Sequence, residues 1–318
     1  MNTSHFKTLT TALSLAALLA VANSAIAAGY VDNIFFPQPN GPSWQTQSTA
    51  TGLNNPTDIE SFDNANEFVV TSADGVRNYF FNVNTLDYVQ MTTQADYTSI
   101  ADIGNASATY VAVGASNRID RIRAPVNDWE TTTILPANTL TGTVRVESYD
   151  NFGLFVSLSN EGVRYYETDG DFGGQISDRT DYVAIADNAL GVNNETFFAL
   201  AADGSVDRIQ FDNATAPYLY STTSILPAGT ILDPRDIESY DGNNEFVTVG
   251  GAGVREYFFS GGNWVFDQMS LSSEYFAIAD NGGAPADYFA LGIAVPEPSA
   301  IALFACGSIC LLLRRRRR

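Results

Sequence analysis

Two sets of acidic residues recur at matching places in this chain. Glu60, Glu147 and Glu238 occupy Asp58-Ile59-Glu60-Ser61, Arg145-Val146-Glu147-Ser148 and Asp236-Ile237-Glu238-Ser239. Asp102, Asp187 and Asp280 close the related segments Ser99-Ile100-Ala101-Asp102, Ala184-Ile185-Ala186-Asp187 and Ala277-Ile278-Ala279-Asp280. Carboxylates brought to one axis repel each other unless cations or arginines compensate. Ca²⁺ held by oxygen ligands is one such compensation, and a separated carboxylate pair could instead act as the acid and base of glycoside cleavage. Arginine recurs alongside: Arg77, Arg164 and Arg255 each follow Gly-Val, and Arg121 and Arg208 sit beside Asp120 and Asp207. This co-occurrence predicts structural ion pairs, Glu60 with Arg77, Glu147 with Arg164 and Glu238 with Arg255, in preference to a ligand or ion site. Arg145 breaks the pattern, standing where other segments have Asp58, Ser99, Ala184, Asp236 or Ala277. A lone guanidinium there could orient an anionic sugar; pairing with Asp58 or Asp236 is the favoured reading.

What is missing narrows the chemistry further. The single His5 and the single Lys7 fall near the N-terminus, and both cysteines, Cys306 and Cys310, near the C-terminus. The region between has no imidazole, amine or thiol, which excludes Ser-His-Asp and Cys-His catalysis, a Schiff-base lysine, an imidazole or thiolate metal site and a disulfide. That same region carries 35 acids against 10 arginines, a formal charge of −25. So acidic a surface repels nucleic acid and anionic membranes.

The elements that would position these residues form a repeat. Asp58 to Phe81, Val146 to Tyr166 and Asp236 to Phe259 share one pattern, with Glu, then Phe-Val, then Gly-Val-Arg in order. A second pattern, from Ser99 to Ile122 and from Ala184 to Ile209, alternates with the first. Units of about 40 to 50 residues made of short β-rich runs separated by Asn, Asp and Gly have the length and content of propeller blades. Blades are expected to begin near Thr57, Asp96, Gly142, Asp181, Asp233 and Glu274. The last unit stops after Tyr288-Phe289-Ala290-Leu291, and its missing half is at the other end, where Gly29 to Phe36 aligns with Gly204 to Phe211. The expected fold is an all-β, six-bladed β-propeller over 29–294, its last blade shared between 29–51 and 274–293. An open solenoid of six units is the alternative, and the split blade argues against it. Trp44, Trp129, Trp264, Tyr88 and Tyr218 fall near the starts of outermost strands, where they could stack on sugars or pack the periphery. Asp169-Gly170-Asp171 has the composition of a calcium loop without the further spaced acids of an EF-hand.

The two ends are addresses. Lys7, the apolar run from Ala12 to Ala22 and Ala25-Ile26-Ala27 have the order of a signal peptide over 1–28. At the other end come Val295-Pro296-Glu297-Pro298, an apolar stretch from Ser299 to Leu313, and five arginines, Arg314 to Arg318. The apolar run, about fifteen residues, is short for a spanning helix, which needs roughly 20. The arginines would still hold its end in the cytoplasm, so a transmembrane helix over this segment, at least transient, is expected. Cys306 and Cys310 would share one helical face, as apolar filler in preference to a lipidation or metal site. In order and content, residues 295–318 resemble the PEP-CTERM sorting signal of Gram-negative bacteria. The resemblance implies export through the inner membrane, processing by exosortase, a cell-surface or extracellular destination, and polysaccharide, biofilm or matrix proteins as surroundings. The resulting expectation is a non-enzymatic binding or structural propeller. A carbohydrate-active hydrolase or lyase using channel carboxylates, and a protein-binding or signalling propeller, are the alternatives.

Overall fold

A computed structural model describes residues 28–37, 43–62, 67–82, 85–103, 108–124, 128–149, 153–188, 196–212, 219–239, 244–281 and 287–294. The signal-peptide helix, the Val295 to Pro298 motif and the C-terminal helix lie outside them. Among the described residues no helix is long and apolar enough to cross a membrane.

Gly29–Ile293 form one compact unit. β1 (Ala28–Phe35) and β2 (Gln45–Asn54) come first in the chain. The first blade is β3 (Asp58–Phe62), β4 (Glu67–Ser72), β5 (Gly75–Asn82) and β6 (Thr85–Thr92); the second is β7 (Ser99–Asp102), β8 (Thr109–Gly114), β9 (Arg118–Arg123) and β10 (Glu130–Leu135). The third is β11 (Arg145–Tyr149), β12 (Leu154–Ser159), β13 (Gly162–Glu167) and β14 (Phe172–Ser177); the fourth is β15 (Tyr182–Asp187), β16 (Thr196–Ala201), β17 (Val206–Asp212) and β18 (Leu219–Leu226). The fifth is β19 (Asp236–Ser239), β20 (Glu245–Gly250), β21 (Gly253–Ser260) and β22 (Asn263–Ser270), and β23 (Tyr275–Asp280) and β24 (Asp287–Ile293) open the sixth. Each blade is a four-stranded antiparallel sheet, and the sixth has the order β2-β1-β24-β23. The innermost strands touch in a closed ring, β3, β7, β11, β15, β19, β23 and back to β3.

Burial explains the ring. Second strands such as β8 and β16 are buried along their whole length, because both of their faces pack against neighbouring blades. The core is accordingly divided into clusters, each at a seam. Ile59, Phe68 and Val70 meet Ala277, Phe289 and Leu291 between the first and sixth blades. Val69, Val76 and Met91 meet Ile100, Tyr110 and Ile122 between the first and second. No blade holds its core alone, which is why the unit exceeds the usual size for one core and still forms one body.

Glycine starts the third strand of each odd blade for a geometric reason. Gly75, Gly162 and Gly253 have φ of 97°, 90° and 92°, and a Cβ there would collide with the carbonyl oxygens of Thr92, Ser177 and Ser270. A bulge follows at once, between Val76 and Arg77, Val163 and Arg164, and Val254 and Arg255. A bulge breaks the ladder and strands backbone carbonyls. Gln90 repairs the one in the first blade, its side-chain amide donating to the carbonyls of Asp74, Val76 and Thr92, and Gln175 and Gln268 do the same in the third and fifth.

Closure depends on β1. It pairs with β24 from Gly29 opposite Ile293 to Phe35 opposite Asp287, and Val31 and Ile34 are fully buried. A protein lacking Gly29 to Thr51 should therefore expose the edge of β24 and lose part of two seams. Size-exclusion chromatography and thermal melting should show aggregation and loss of the cooperative transition; a monomer with unchanged Tm would contradict this account of closure.

Candidate functional site

Innermost strands carry Glu60, Asp102, Glu147, Asp187, Glu238 and Asp280, the six recurring carboxylates. Because side chains alternate along a strand, Asp58 and Glu60 share a face, as do Arg145 with Glu147 and Asp236 with Glu238. Ile59 packs toward the sixth blade, so Asp58 and Glu60 point toward the second. The hydrogen bonds agree: Asp58 accepts from the Ile100 N–H at 2.9 Å, and Asp236 accepts from the Ile278 N–H at 2.9 Å. In even blades the parity is reversed. Ile100 faces the first blade, and Asp102, two residues on, faces back with it, while Ala101 packs toward the third blade.

The six carboxylates are thus three facing Glu and Asp sets whose glutamates also meet at the axis. Each odd-to-even seam sets a Glu against an Asp, and the even-to-odd seams are apolar, with Phe68 tilted against Phe289 at 4.7 Å and Phe198 against Phe246 at 4.8 Å. At the axis, Asp58, Glu60, Arg145, Glu147, Asp236 and Glu238 line a cavity of about 20 Å³, room for about one water.

Crowding and partial burial favour the protonated form of these acids. Burial pushes the Glu60 carboxyl well above the usual carboxylate range, and Glu147, Asp102 and Asp58 push it further. Glu147 is raised by burial and then by Asp187, and Glu238 by burial and then by Glu147, Glu60 and Asp280. Each Glu turns inward on its own strand: Glu60 accepts from the Ser61 N–H at 3.0 Å, Glu238 from the Ser239 N–H at 2.9 Å, and Glu147 from the Ser148 hydroxyl at 3.5 Å.

Arg145 is the basic residue of this lining. Its Nη1 lies 3.5 Å from Asp236 Oδ1. Burial raises Asp236 to about 7, with Arg145 opposing and Asp58 adding to the rise. Asp58 is also raised by burial and held down in part by Arg145 and the Ile100 N–H. Asp58 and Asp236 are site members that the repeat named only as partners for Arg145. Their signal was available: each is bonded to a residue 42 positions on, one blade ahead.

The expected Glu and Arg pairs are not formed. Arg77 bonds Gln90 at 3.0 Å, pairs with Asp74 at 3.1 Å and stacks on Tyr88 at 4.6 Å. Arg164 and Arg255 bond Gln175 and Gln268 at 2.9 and 3.0 Å. The third strand lies too far from the axis for its side chains to reach the first-strand acids, so the arginines serve the bulge instead. Asp120 and Asp207 likewise take Arg118 and Arg179, each at 2.7 Å, in place of their chain neighbours Arg121 and Arg208.

Among the described residues no three acidic side chains converge as a metal site, and Asp169 caps its own turn by accepting from the Asp171 N–H at 3.2 Å. Trp264 packs on Phe246 at 5.1 Å, Trp129 on Tyr110 at 6.3 Å and Trp44 on Phe36 at 5.4 Å. Tyr218 lies outside the described residues.

Comparison with known proteins adds the address. The PEP-CTERM protein-sorting motif matches residues 294–318. The chain is a six-bladed propeller that carries this sorting motif, which indicates export. The motif directs it to the cell envelope or surface. No curated protein matches the sequence. Among solved structures, the PEP-CTERM propeller is similar to the BP39L lectin of Burkholderia pseudomallei, at 17% identity over 78% of this chain and 82% of that one, with a TM-score of 0.52. A calcium structure of a Trichoderma reesei carbohydrate-active enzyme of family AA12 matches at 13% identity over 80% and 96%, TM-score 0.52. The SapL1 lectin in complex with alpha methyl fucoside matches at 12% over 75% and 89%, TM-score 0.50. At such identities the likeness shows the fold.

Proton binding gives the axial acids a definite pH dependence. The folded state keeps protons that the unfolded chain releases near about 3.9 for Asp and 4.3 for Glu. Stability is therefore full below about pH 4 and falls as pH rises through the raised folded values, by about 1.4 kcal/mol per pH unit for each proton held in excess. Glu60→Gln, Glu147→Gln and Glu238→Gln should each flatten that fall and raise Tm at pH 8, with little change at pH 4. Arg145→Met should do the opposite, lowering Tm at pH 7 and by less at pH 4.5. Thermal melts between pH 4 and pH 9 check both signs; a lower Tm at pH 8 for the Gln variants would restore the ion-pair reading.

Proposed function

We propose that this PEP-CTERM propeller is a non-enzymatic, carbohydrate-binding or structural protein of the cell surface or extracellular matrix, associated with exopolysaccharide or biofilm and processed by exosortase. The observation that carries the reading is a closed six-bladed propeller joined to a sorting motif, with acids packed around its axis. Neighbours of this fold include two lectins, one bound to a fucoside, which supports a saccharide as the ligand. The axial carboxylates favour binding or structure over hydrolysis, because about 20 Å³ between them leaves no room for a pyranose ring. Calcium as their partner rests on their charge and on one neighbour determined with calcium; a rise in Tm on adding calcium chloride supports it, and no shift removes it.

Binding of the purified mature protein to a glycan array, with calcium and with EDTA, tests the reading. At least one neutral saccharide should be retained above background, and an array without any bound glycan would overturn the carbohydrate reading. Intact mass of the surface form should end before Arg318, since exosortase processing removes the tail. A mass that includes Arg318 would make the tail a plain anchor.

A further inference from the structure

Even blades share a device that the axial site does not use. In each, a tyrosine just before or at the start of the first strand donates to an aspartate on the third strand of the same sheet: Tyr97 to Asp120 at 2.8 Å, Tyr182 to Asp207 at 2.7 Å and Tyr275 to Asp32 at 2.6 Å. What surrounds this pair differs between the blades. In the second blade Gln94 precedes the tyrosine by three residues and Arg118 precedes the aspartate by two, whereas the fourth blade has Arg179 and Ser205 at those places and the sixth has Ser272 and Tyr30.

Those exchanges change the space. In the fourth blade Arg179 reaches across from the connecting segment, its Nη1 2.7 Å from Asp207 and its Nε bonded to Asp181. In the sixth, Tyr30 bonds Glu274 at 2.9 Å and lies 5.8 Å from the Tyr275 ring. In the second, Arg118 starts on the blade's own third strand, its Nε 2.7 Å from Asp120, and Nη2 pairs with Asp96 at 3.3 Å. Beside this pair lies an open cleft of about 770 Å³, lined by Gln94, Asp96, Arg118, Asp120, Thr131 and Thr133.

We infer that this cleft, between the end of the first blade and the outer strands of the second, is a binding site for a neutral saccharide. The inference rests on the carbohydrate reading above and names where the sugar is held. Its lining carries donors and acceptors side by side, as vicinal hydroxyls require: the guanidinium of Arg118 donates, Asp96 accepts, the Gln94 amide and the Thr131 hydroxyl do both, and Thr133, whose proton goes to Asp120, accepts. Asp120 is 1% exposed. It is locked by Tyr97, by Arg118 and by Thr133 at 2.7 Å, so the cleft floor is fixed before a ligand arrives. A net charge of −20 over the whole chain disfavours uronate or sulfate-bearing glycans.

Thr131 offers a clean test, being an exposed wall residue of β10 outside the Asp120 network. The probes are immobilised neutral oligosaccharides of glucose, mannose, galactose and fucose, beside anionic ones carrying uronate or sulfate. Thr131→Trp should weaken retention of the neutral probes at least tenfold with Tm unchanged. Thr131→Gln, a smaller block, should give an intermediate loss and serves if the Trp variant aggregates. Thr222→Trp, at the matching place in the fourth blade, should bind as the natural protein does. Neutral binding that survives both Thr131 variants would overturn this cleft while leaving the carbohydrate reading in place. Retention of the anionic probes alone would overturn the ligand class, and a natural protein that retains no probe would overturn the cleft and that reading together.

Discussion

Innermost strands of six blades converge on one axis, and the carboxylates they carry there share it with a single lining guanidinium, that of Arg145. So many charges in so little space cannot all be ionised. Two devices answer the problem. Alternating strand parity splits the acids into three facing sets at the odd-to-even seams, and burial with mutual repulsion keeps protons on the glutamates. The axis becomes a plug of reduced charge, held by carboxyl-to-backbone hydrogen bonds that tie the first blade to the second and the fifth to the sixth. Arg145 then sets the protonation of its two aspartate neighbours and is the point at which threefold symmetry is given up.

Everything farther out depends on that ring being closed. The apolar seams pack because second strands are buried on both faces, and they remain packed because β1 returns to pair with β24. The Gly, Arg and Gln of the odd blades solve a different problem, the carbonyls left by a bulge, and this accounts for their recurrence without any role at the axis. The second and fourth blades bulge at the same place, between Ile119 and Asp120 and between Val206 and Asp207, but without the Arg and Gln. The third strands of the even blades carry a Tyr-bonded aspartate instead, and its surroundings vary from blade to blade, which leaves the outer clefts free to differ in chemistry while the scaffold stays regular.

The architecture was legible because its signals are local. Runs of β-rich residues, turn residues and the alignment of Gly29 to Phe36 with Gly204 to Phe211 needed no knowledge of contacts, and the sorting motif is a contiguous string. Pairing was less legible. Glu60 and Arg77 recur together, yet co-occurrence within a repeat cannot distinguish two residues that touch from two that each serve a separate recurring need. The distance of the third strand from the axis decides the matter. Asp120 and Arg118 show the same limit on a small scale: residues two apart on a strand share a face, whereas Arg121, the immediate neighbour, points away. The cleft beside them arises from an exchange of positions, Gln94 and Arg118 for Arg179 and Ser205, which has meaning only once the blades are superposed.

The central claim is that Glu60, Glu147 and Glu238 are protonated in the folded protein near neutral pH. Carbon-13 NMR of the protein labelled at glutamate side-chain carboxyls measures this directly. At pH 7 the account predicts three resonances at the protonated carboxyl position, each lost in the corresponding Gln variant and moving only at a pH well above the usual carboxylate range. Glutamate carboxyls that are all ionised at pH 7 in the folded protein would contradict it.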